Sequence, residues 1–470
     1  MNKLLSYLFA GLFISIIQSL CGCANIIPPG GGPRDSLPPL LMKASPPDST
    51  TQFPGGKIVL TFNEYVELNN PLELIIVSPM PKKPPEFESH LHTVTVRLKD
   101  TLEPNTTYSI DFEKSIRDIN EGNELKDFRY IFSTGKYFDS LEFAGKVIIA
   151  ETGKPDSTLS VLLHTSLDDS AVAKENPRYF TRLDSGGNFI FRNLPAGKFA
   201  VYALKAEGGG MKKYTSPTTL FAFADSPVVI NSATRSIVLF AYAEPEEPKG
   251  AAAPAAAGRG TPGKGAQEKV LRIQTNLLSG QLGLLSQLEI EVATPLKIVD
   301  TTKGRLTNEV YEPVPNVQYL LDSTRKKLTV RTAWQPNRGY NLIVAKDFLE
   351  DSAGRKLLRN DTLAFRTRNT TEYGSLKLRF LNLDLSRHPV LQFIQGGQLK
   401  YTHIFTDRTV NIRLFQPGEY DLRILYDENQ NGKWDPGEFY GKHKQPEKVQ
   451  PLQRKLEVKP NWDSEVDITL

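Results

Sequence analysis

The feature that most restricts this chain is the rhythm of its apolar residues. Ile58, Leu60 and Phe62 fall at every second position, as do Val94, Val96 and Leu98, then Tyr108, Ile110 and Phe112, then Phe128, Tyr130 and Phe132. Successive side chains of a strand point to opposite faces, so each run buries one face and leaves the other to water. Turn formers separate the runs: Pro54-Gly55-Gly56, Glu103-Pro104-Asn105 and Asn120-Glu121-Gly122-Asn123. No long stretch after the first two dozen residues repeats at 3.6. Short strands at regular spacing predict an all-β fold built of sandwiches, and a length of 470 residues predicts several of them.

Two internal repeats set the order of the modules. Thr95-Val96-Arg97 is followed by Pro104-Asn105, Tyr108, Asp118, Gly122 and Phe132-Ser133-Thr134; Thr329-Val330-Arg331 is followed by Pro336-Asn337, Tyr340, Asp351, Gly354 and Phe365-Arg366-Thr367. Together with the opening Ser45-Pro46-Pro47-Asp48 and Asn63-Glu64, this pattern resembles the bacterial Ig-like domain of S-layer proteins and many cell-envelope lipoproteins. The resemblance covers 41–135 and the C-terminal half of 271–369. In the second repeat, Leu194-Pro195-Ala196-Gly197-Lys198-Phe199 corresponds to Phe415-Gln416-Pro417-Gly418-Glu419-Tyr420. That turn resembles the carboxypeptidase-regulatory or transthyretin-like sandwich. Its Pro stiffens the turn, its Gly permits positive φ and its aromatic enters the core.

The expected architecture is therefore tandem Ig-like and transthyretin-like β-sandwiches in an A–B–A′–B′ order. It places an Ig-like sandwich at 41–136, a transthyretin-like one at 141–243, a divergent second Ig-like one at 270–369 and a second transthyretin-like one at 373–470. Residues 244–269, EPEEPKGAAAPAAAGRGTPGKGAQEK, read as a disordered Pro/Ala/Gly linker. Such a linker would leave two rigid pairs free to reach or bridge.

The chain opens with one lysine, Lys3, and an almost wholly apolar Leu4–Leu20 ending in small residues. That is the pattern of a secretory signal, here 1–22; secretion without a lipid and an uncleaved apolar anchor are the alternatives. Leu20-Cys21-Gly22-Cys23 resembles the lipobox of bacterial lipoproteins, which implies acylation of Cys23. Only two cysteines are present, so cleavage before Cys23 would leave no free thiol, as suits an oxidising compartment. Pro/Gly-rich residues 23–40 would form a flexible stalk. The resemblance implies an outer-membrane lipid anchor. The absence of an acidic run after Cys23 favours the periplasmic face over the cell surface.

One segment carries coordination chemistry. Asp427-Glu428-Asn429-Gln430-Asn431-Gly432-Lys433-Trp434-Asp435-Pro436-Gly437-Glu438 matches the calcium-loop pattern D-x-[DN]-x-[DN]-G-x₅-E. Asp427, Asn429 and Asn431 would give side-chain oxygens, Lys433 its carbonyl, Asp435 a contact through water, and Glu438 two oxygens. The flanking Tyr420–Tyr426 alternates like a strand, so the loop would lie between strands and not between helices. A polar turn is the alternative. The few carboxylates predict weak calcium affinity, on the order of 10⁻⁴–10⁻³ M. The first copy has Ala206, Gly208 and Gly210 opposite Asp427, Asn429 and Asn431, so the fold does not need the loop.

A formal charge of +4 gives no footprint for nucleic acid, and two cysteines exclude a disulfide scaffold. No G-x-S-x-G elbow, H-E-x-x-H or Walker loop occurs. His90 and His92, two apart, would share one face of a strand. Trp334, Trp434 and Trp462 offer rings for sugar stacking; the alternative is that Trp434 covers the calcium loop and Trp462 helps the last strand. Asp48, Asp100, Asp139, Asp169, Asp351 and Asp361 each open a triplet that resembles a bacterial O-glycosylation signal. The expected function is non-catalytic: an envelope scaffold or adhesion-type binding protein whose partners are the membrane, through its lipid, and an envelope protein or glycan. A glycan-binding accessory lipoprotein of a polysaccharide uptake system is the alternative. A hydrolase with an unrecognised site is more distant.

Overall fold

The computed structural model describes residues 35–205, 213–244 and 270–470. The signal peptide, Cys23, most of the stalk, residues 245–269 of the linker, and Ala206, Gly208 and Gly210 lie outside the described residues. Among those described, helix is confined to the single turns Pro71–Leu74 and Ala171–Lys174 and three 3-10 turns. The all-β expectation holds. The chain divides into two compact units: one runs to Glu142 and takes in Arg178–Phe180 and Arg192–Ala196, and the other holds the rest.

In the first unit, strands Leu41–Ser45, Lys57–Phe62, Thr93–Arg97 and Glu86–His90 lie side by side in that order. Facing elements are the three-stranded sheet Ile76–Ser78, Thr107–Asp111, Arg129–Ser133 and the pair Val66–Leu68 with Ile116–Asp118. The alternation is realised as expected: Ile58, Leu60, Val94, Val96, Ile110, Phe112, Tyr130 and Phe132 form one buried cluster.

The second unit contains a sandwich that repeats this strand order and adds one short edge strand, Gln281–Leu282, where the first has only the bridge between Thr50 and Phe132. Ile273–Thr275, Leu288–Val292, Lys327–Arg331 and Gln318–Leu321 make one sheet; Gln281–Leu282, Asp361–Thr367, Gly339–Val344 and Gly304–Asn308 make the other; Leu296–Val299 pairs with Leu349–Asp351. Its N-terminal half, where the sequence resemblance fades, thus keeps the same topology.

The residues of the first repeat do the same work in both copies. Tyr108 Oη accepts from the Glu103 N–H at 2.9 Å, and Tyr340 Oη from the Gln335 N–H at 3.1 Å. Thr134 and Thr367 hydroxyls donate to the carbonyls of Glu103 at 2.6 Å and Gln335 at 2.5 Å. Asn105 and Asn337 take φ of 50° and 52°, and Gly122 and Gly354 of 77° and 75°, a region asparagine tolerates and glycine enters freely. Asp118 and Asp351 are 1% and 0% exposed. Asp118 accepts from the N–H groups of Glu121, Gly122 and Asn123 at 2.6–2.9 Å. Asp351 accepts from Ala353 and Arg355 N–H at 3.0 and 2.9 Å and from Arg355 Nε at 2.7 Å. Burial opposes both charges, yet these donors outweigh it and hold both carboxyls below the usual carboxylate value.

The other two sandwiches also share one plan. Leu141–Ile149 lies between Asn188–Leu194 and Ile237–Ala241, and Gly374–Leu381 lies between Thr409–Phe415 and Asp463–Thr469. In each, the first and last strands run parallel, Val147 opposite Leu239 and Leu378 opposite Val466. The facing sheets are Tyr179–Arg182, Leu159–His164, Gly197–Lys205, Phe221–Phe223 and Gln398–Ile404, Pro389–Gln395, Gly418–Tyr426, Lys448–Val458. Phe199 and Tyr420 enter the cores as expected.

Two local expectations need correction. Gly197 has no positive φ; it is small because a Cβ there would meet Phe199 Cε2 at 3.2 Å, whereas Gly418 does turn at φ 150°. His90 and His92 do not share a strand face, because Leu91, at φ 51°, reverses the chain between Glu86–His90 and Thr93–Arg97.

Candidate functional site

The loop expected to bind calcium begins where the strand Gly418–Tyr426 ends. Asp427 is 2% exposed. Its Oδ1 accepts from the Asn431 N–H at 3.2 Å and its Oδ2 from the Gly432 N–H at 2.6 Å. Gly432, at φ 74°, makes the sharp turn that its position in the pattern predicts. Asn429 Oδ1 accepts from the Asn431 N–H at 3.1 Å, and Asn431 Oδ1 from the Lys433 N–H at 2.7 Å. Asp435 Oδ2 accepts from Asn431 Nδ2 at 2.7 Å and from Asn429 Nδ2. Asp427, Asn429, Asn431, Lys433 and Asp435 are therefore brought together as one hydrogen-bonded turn.

Glu438 is held elsewhere. Its backbone exchanges hydrogen bonds of 2.8 Å with Lys444, and its carboxylate pairs with Lys442 Nζ at 2.8 Å. The carboxylate that meets the loop is Glu447, which sequence reasoning missed. It is 2% exposed; Oε1 accepts from the Glu428 N–H at 2.9 Å and Oε2 from the Asp435 N–H at 3.0 Å. Burial pushes its pKa up, the two N–H donors oppose that, and the charges of Asp427 and Asp435 add to the rise. Trp434 donates its indole N–H to the Glu447 carbonyl at 2.8 Å, so it closes one side of the loop. Among the described residues, no three His, Cys, Asp or Glu side chains gather closely enough to hold a metal ion.

Beyond the loop, residues 437–447 form a tongue against the second sandwich. Phe439 is 2% exposed. Its ring centroid lies 5.6 Å from Tyr202, 5.1 Å from Phe221 and 5.0 Å from Phe223. Tyr440 stacks on Tyr214 at 5.9 Å. His443 Nε2 is 2.7 Å from Asp169 Oδ2. Gln445 Nε2 donates to the Phe223 carbonyl at 3.1 Å and to Asp225 Oδ1 at 2.7 Å. Next to the tongue, the Val449 N–H donates to the Ala150 carbonyl at 3.1 Å. The second and fourth sandwiches are thus docked, which corrects the expectation of two pairs joined only by a linker. Contacts between residues more than 200 positions apart leave no trace in local spacing.

Two concavities border this tongue. A cavity of about 110 Å³ is lined by Asp169, Asp225, Ser226, Phe439 and His443 among others. It holds the Asp–His pair, but no described hydrogen bond joins a serine hydroxyl to that ring. A more open cleft of about 590 Å³ is lined by Tyr214, Ser216, Glu244, Glu438 and Tyr440 among others.

The tryptophans divide. Trp334 packs edge-on to Tyr340 and Phe365 and donates to Gln287 Oε1 at 2.9 Å, so it belongs to a core. Trp434 covers the loop, and Trp462 is 62% exposed. Asp168, adjacent to Asp169, accepts from the Ser170 N–H at 2.7 Å. No described helix is long and apolar enough to cross a membrane, which says nothing about β-barrel spans.

Among solved structures, the Bacillus anthracis TIE protein is 11% identical, with 94% of this chain and 75% of that chain covered at a TM-score of 0.18. BcpA, the major pilin subunit of Bacillus cereus, is 10% identical over 70% of this chain and 99% of that chain, with a TM-score of 0.17. The N-terminal part of the bacterial S-layer protein SbsC is 15% identical over 44% of each chain, with a TM-score of 0.16. No curated protein matches the chain. The bacterial Ig-like domain family matches residues 35–134. The chain therefore carries a bacterial Ig-like domain at the start of its described structure.

Proposed function

We propose that this chain is a non-catalytic envelope scaffold or adhesion-type binding protein, anchored in the outer membrane through acylated Cys23 and facing the periplasm. The observation that supports it most is the doubled plan: an Ig-like domain at 35–134, its structural repeat, and two copies of a second sandwich. The buried carboxylates Asp118 and Asp351 are consumed in closing turns, as structural groups are. Replacing Cys23 with Ser should move the protein from the membrane to the soluble fraction; an unchanged membrane fraction refutes the anchor.

The same reading gives the loop weak calcium binding. Calcium favours carboxylate and carbonyl oxygens, and Asp427, Asp435 and the Asn429 and Asn431 carboxamides supply them. Glu447 now accepts from the Glu428 and Asp435 N–H groups, so calcium would have to draw its carboxylate off those donors for it to serve in place of Glu438. Turning the two carboxamides over would present oxygen where Nδ2 now faces Asp435. Burial is the main reason the Glu447 pKa is raised, and calcium would neutralise the repulsion from Asp427 and Asp435 that adds to it. Millimolar calcium should raise the thermal midpoint of the wild type; no shift removes the site.

A second reading, glycan binding, is favoured by the cleft of about 590 Å³ with Tyr440 at its rim and the carboxylates of Glu244 and Glu438 in its lining. Aromatic faces with adjacent acceptors suit sugar rings. Quenching or shift of ring signals on titration with oligosaccharides, lost in Tyr440→Ala, tests it.

A further inference from the structure

The tongue has a role that no calcium chemistry is needed to explain. The groove that receives it is built from Tyr202, Phe221, Phe223 and Tyr242, all buried with the tongue in place. If the tongue left, the faces of Tyr202, Phe221 and Phe223 that meet Phe439 would be bared on the groove and the Phe439 ring on the tongue, apolar surface that soluble proteins rarely leave uncovered. Polar contacts frame the apolar centre: His443 with Asp169 on one side, Gln445 with Phe223 and Asp225 on another, and Lys448 Nζ 4.6 Å above the Phe240 ring. A buried aromatic anchor ringed by polar contacts is the arrangement that concentrates binding energy in protein interfaces. The fit is close at two glycines. A Cβ on Gly437 would come 2.7 Å from Tyr242 Cε1, and one on Gly153 would come 2.6 Å from the Val449 carbonyl oxygen.

We infer that residues 437–449 are an intramolecular clasp that locks the fourth sandwich onto the second without help from the covalent connection. The clasp joins the two sandwiches at residues far in sequence from the chain that connects them through the third sandwich. Its occupant is the chain's own tongue, and the inference holds whether or not the loop carries a cation.

The test uses the full chain with one protease site placed in 245–269 and cut after folding. The two pieces should stay together on size exclusion at micromolar concentration, at the mass of the uncut protein. Phe439→Ala should weaken their association by about a hundredfold or more, the order expected for emptying a buried aromatic site, so that they separate. Because that variant also touches the fourth sandwich, Gly153→Asn gives an independent wedge from the other side. Gly153 has φ +66°, which asparagine tolerates, so the second sandwich keeps its turn while the new side chain meets the Val449–Pro451 segment. It too should separate the cut pieces. Separation of the cut wild type, or co-elution of both cut variants, overturns the inference.

Discussion

Asp351 offers the sharpest test of how the Ig-like repeat is held. Its carboxylate is fully buried and receives the Ala353 and Arg355 N–H groups and Arg355 Nε. Asp351→Ala leaves two backbone donors of a tight turn without an acceptor, at roughly 1–2 kcal/mol each. Arg355 loses less, since its side chain is 29% exposed and water can replace the carboxylate. The total is about 3 kcal/mol, a large share of the 5–15 kcal/mol that holds a domain together. Asp351→Asn keeps one oxygen for the two N–H groups and gives up the ion pair, so it should cost nearer 1 kcal/mol. Trp334, packed on Tyr340 and Phe365, reports on this sandwich by fluorescence once the other two tryptophans, Trp434 and Trp462, are replaced by Phe. With a urea slope near 2 kcal/mol per molar, the Ala variant should lower the midpoint by about 1.5 M and the Asn variant by about 0.5 M. The Asp351 pKa is lowered on folding, so its stabilisation is complete above the ordinary value of 3.8 and is lost as pH falls through the lower, folded value. The Asn variant should therefore lose less on acidification below about pH 4. Equal costs for Ala and Asn, or no cost for either, would refute the turn-closure argument.

Two further outcomes are expected. His164 is buried with its Nε2 unpartnered, and burial lowers its pKa from 6.5 to about 4. The unfolded chain takes up that proton first, so stability should fall between pH 6.5 and about 4 by up to roughly 3 kcal/mol. His164→Leu should flatten urea midpoints across that window; an unchanged pH dependence would contradict the assignment. In the calcium titration, Glu447→Gln should abolish the gain in thermal midpoint and Glu438→Gln should leave it, with the reverse pattern restoring Glu438 to the site.

The parts of the fold that are legible in the sequence are those fixed by nearby backbone. Tyr108 and Tyr340 bond five residues back, and Asp118 and Asp351 cap turns a few residues ahead. Such residues recur at constant spacing because the hydrogen bond demands it. Gly197 departs from its expected role because the proline stands two residues before the glycine in Leu194-Pro195-Ala196-Gly197 and directly before it in Gln416-Pro417-Gly418, and only Gly418 takes a positive φ. Glu447 is invisible to spacing because the turn 439–446 brings it back to the loop through the Trp434 and Asp435 contacts, outside any twelve-residue window. The docking of the tongue depends on Phe439 meeting Tyr202 and Phe221. An aromatic residue in a polar loop shows only that something covers it.

The reading of this chain as a tethered envelope scaffold is tested most directly by mass spectrometry of the N-terminal peptide from protein extracted from its native membrane. The account predicts a mature chain that begins at Cys23 with acyl groups on that residue. A chain that begins elsewhere, or an unmodified Cys23, would contradict it.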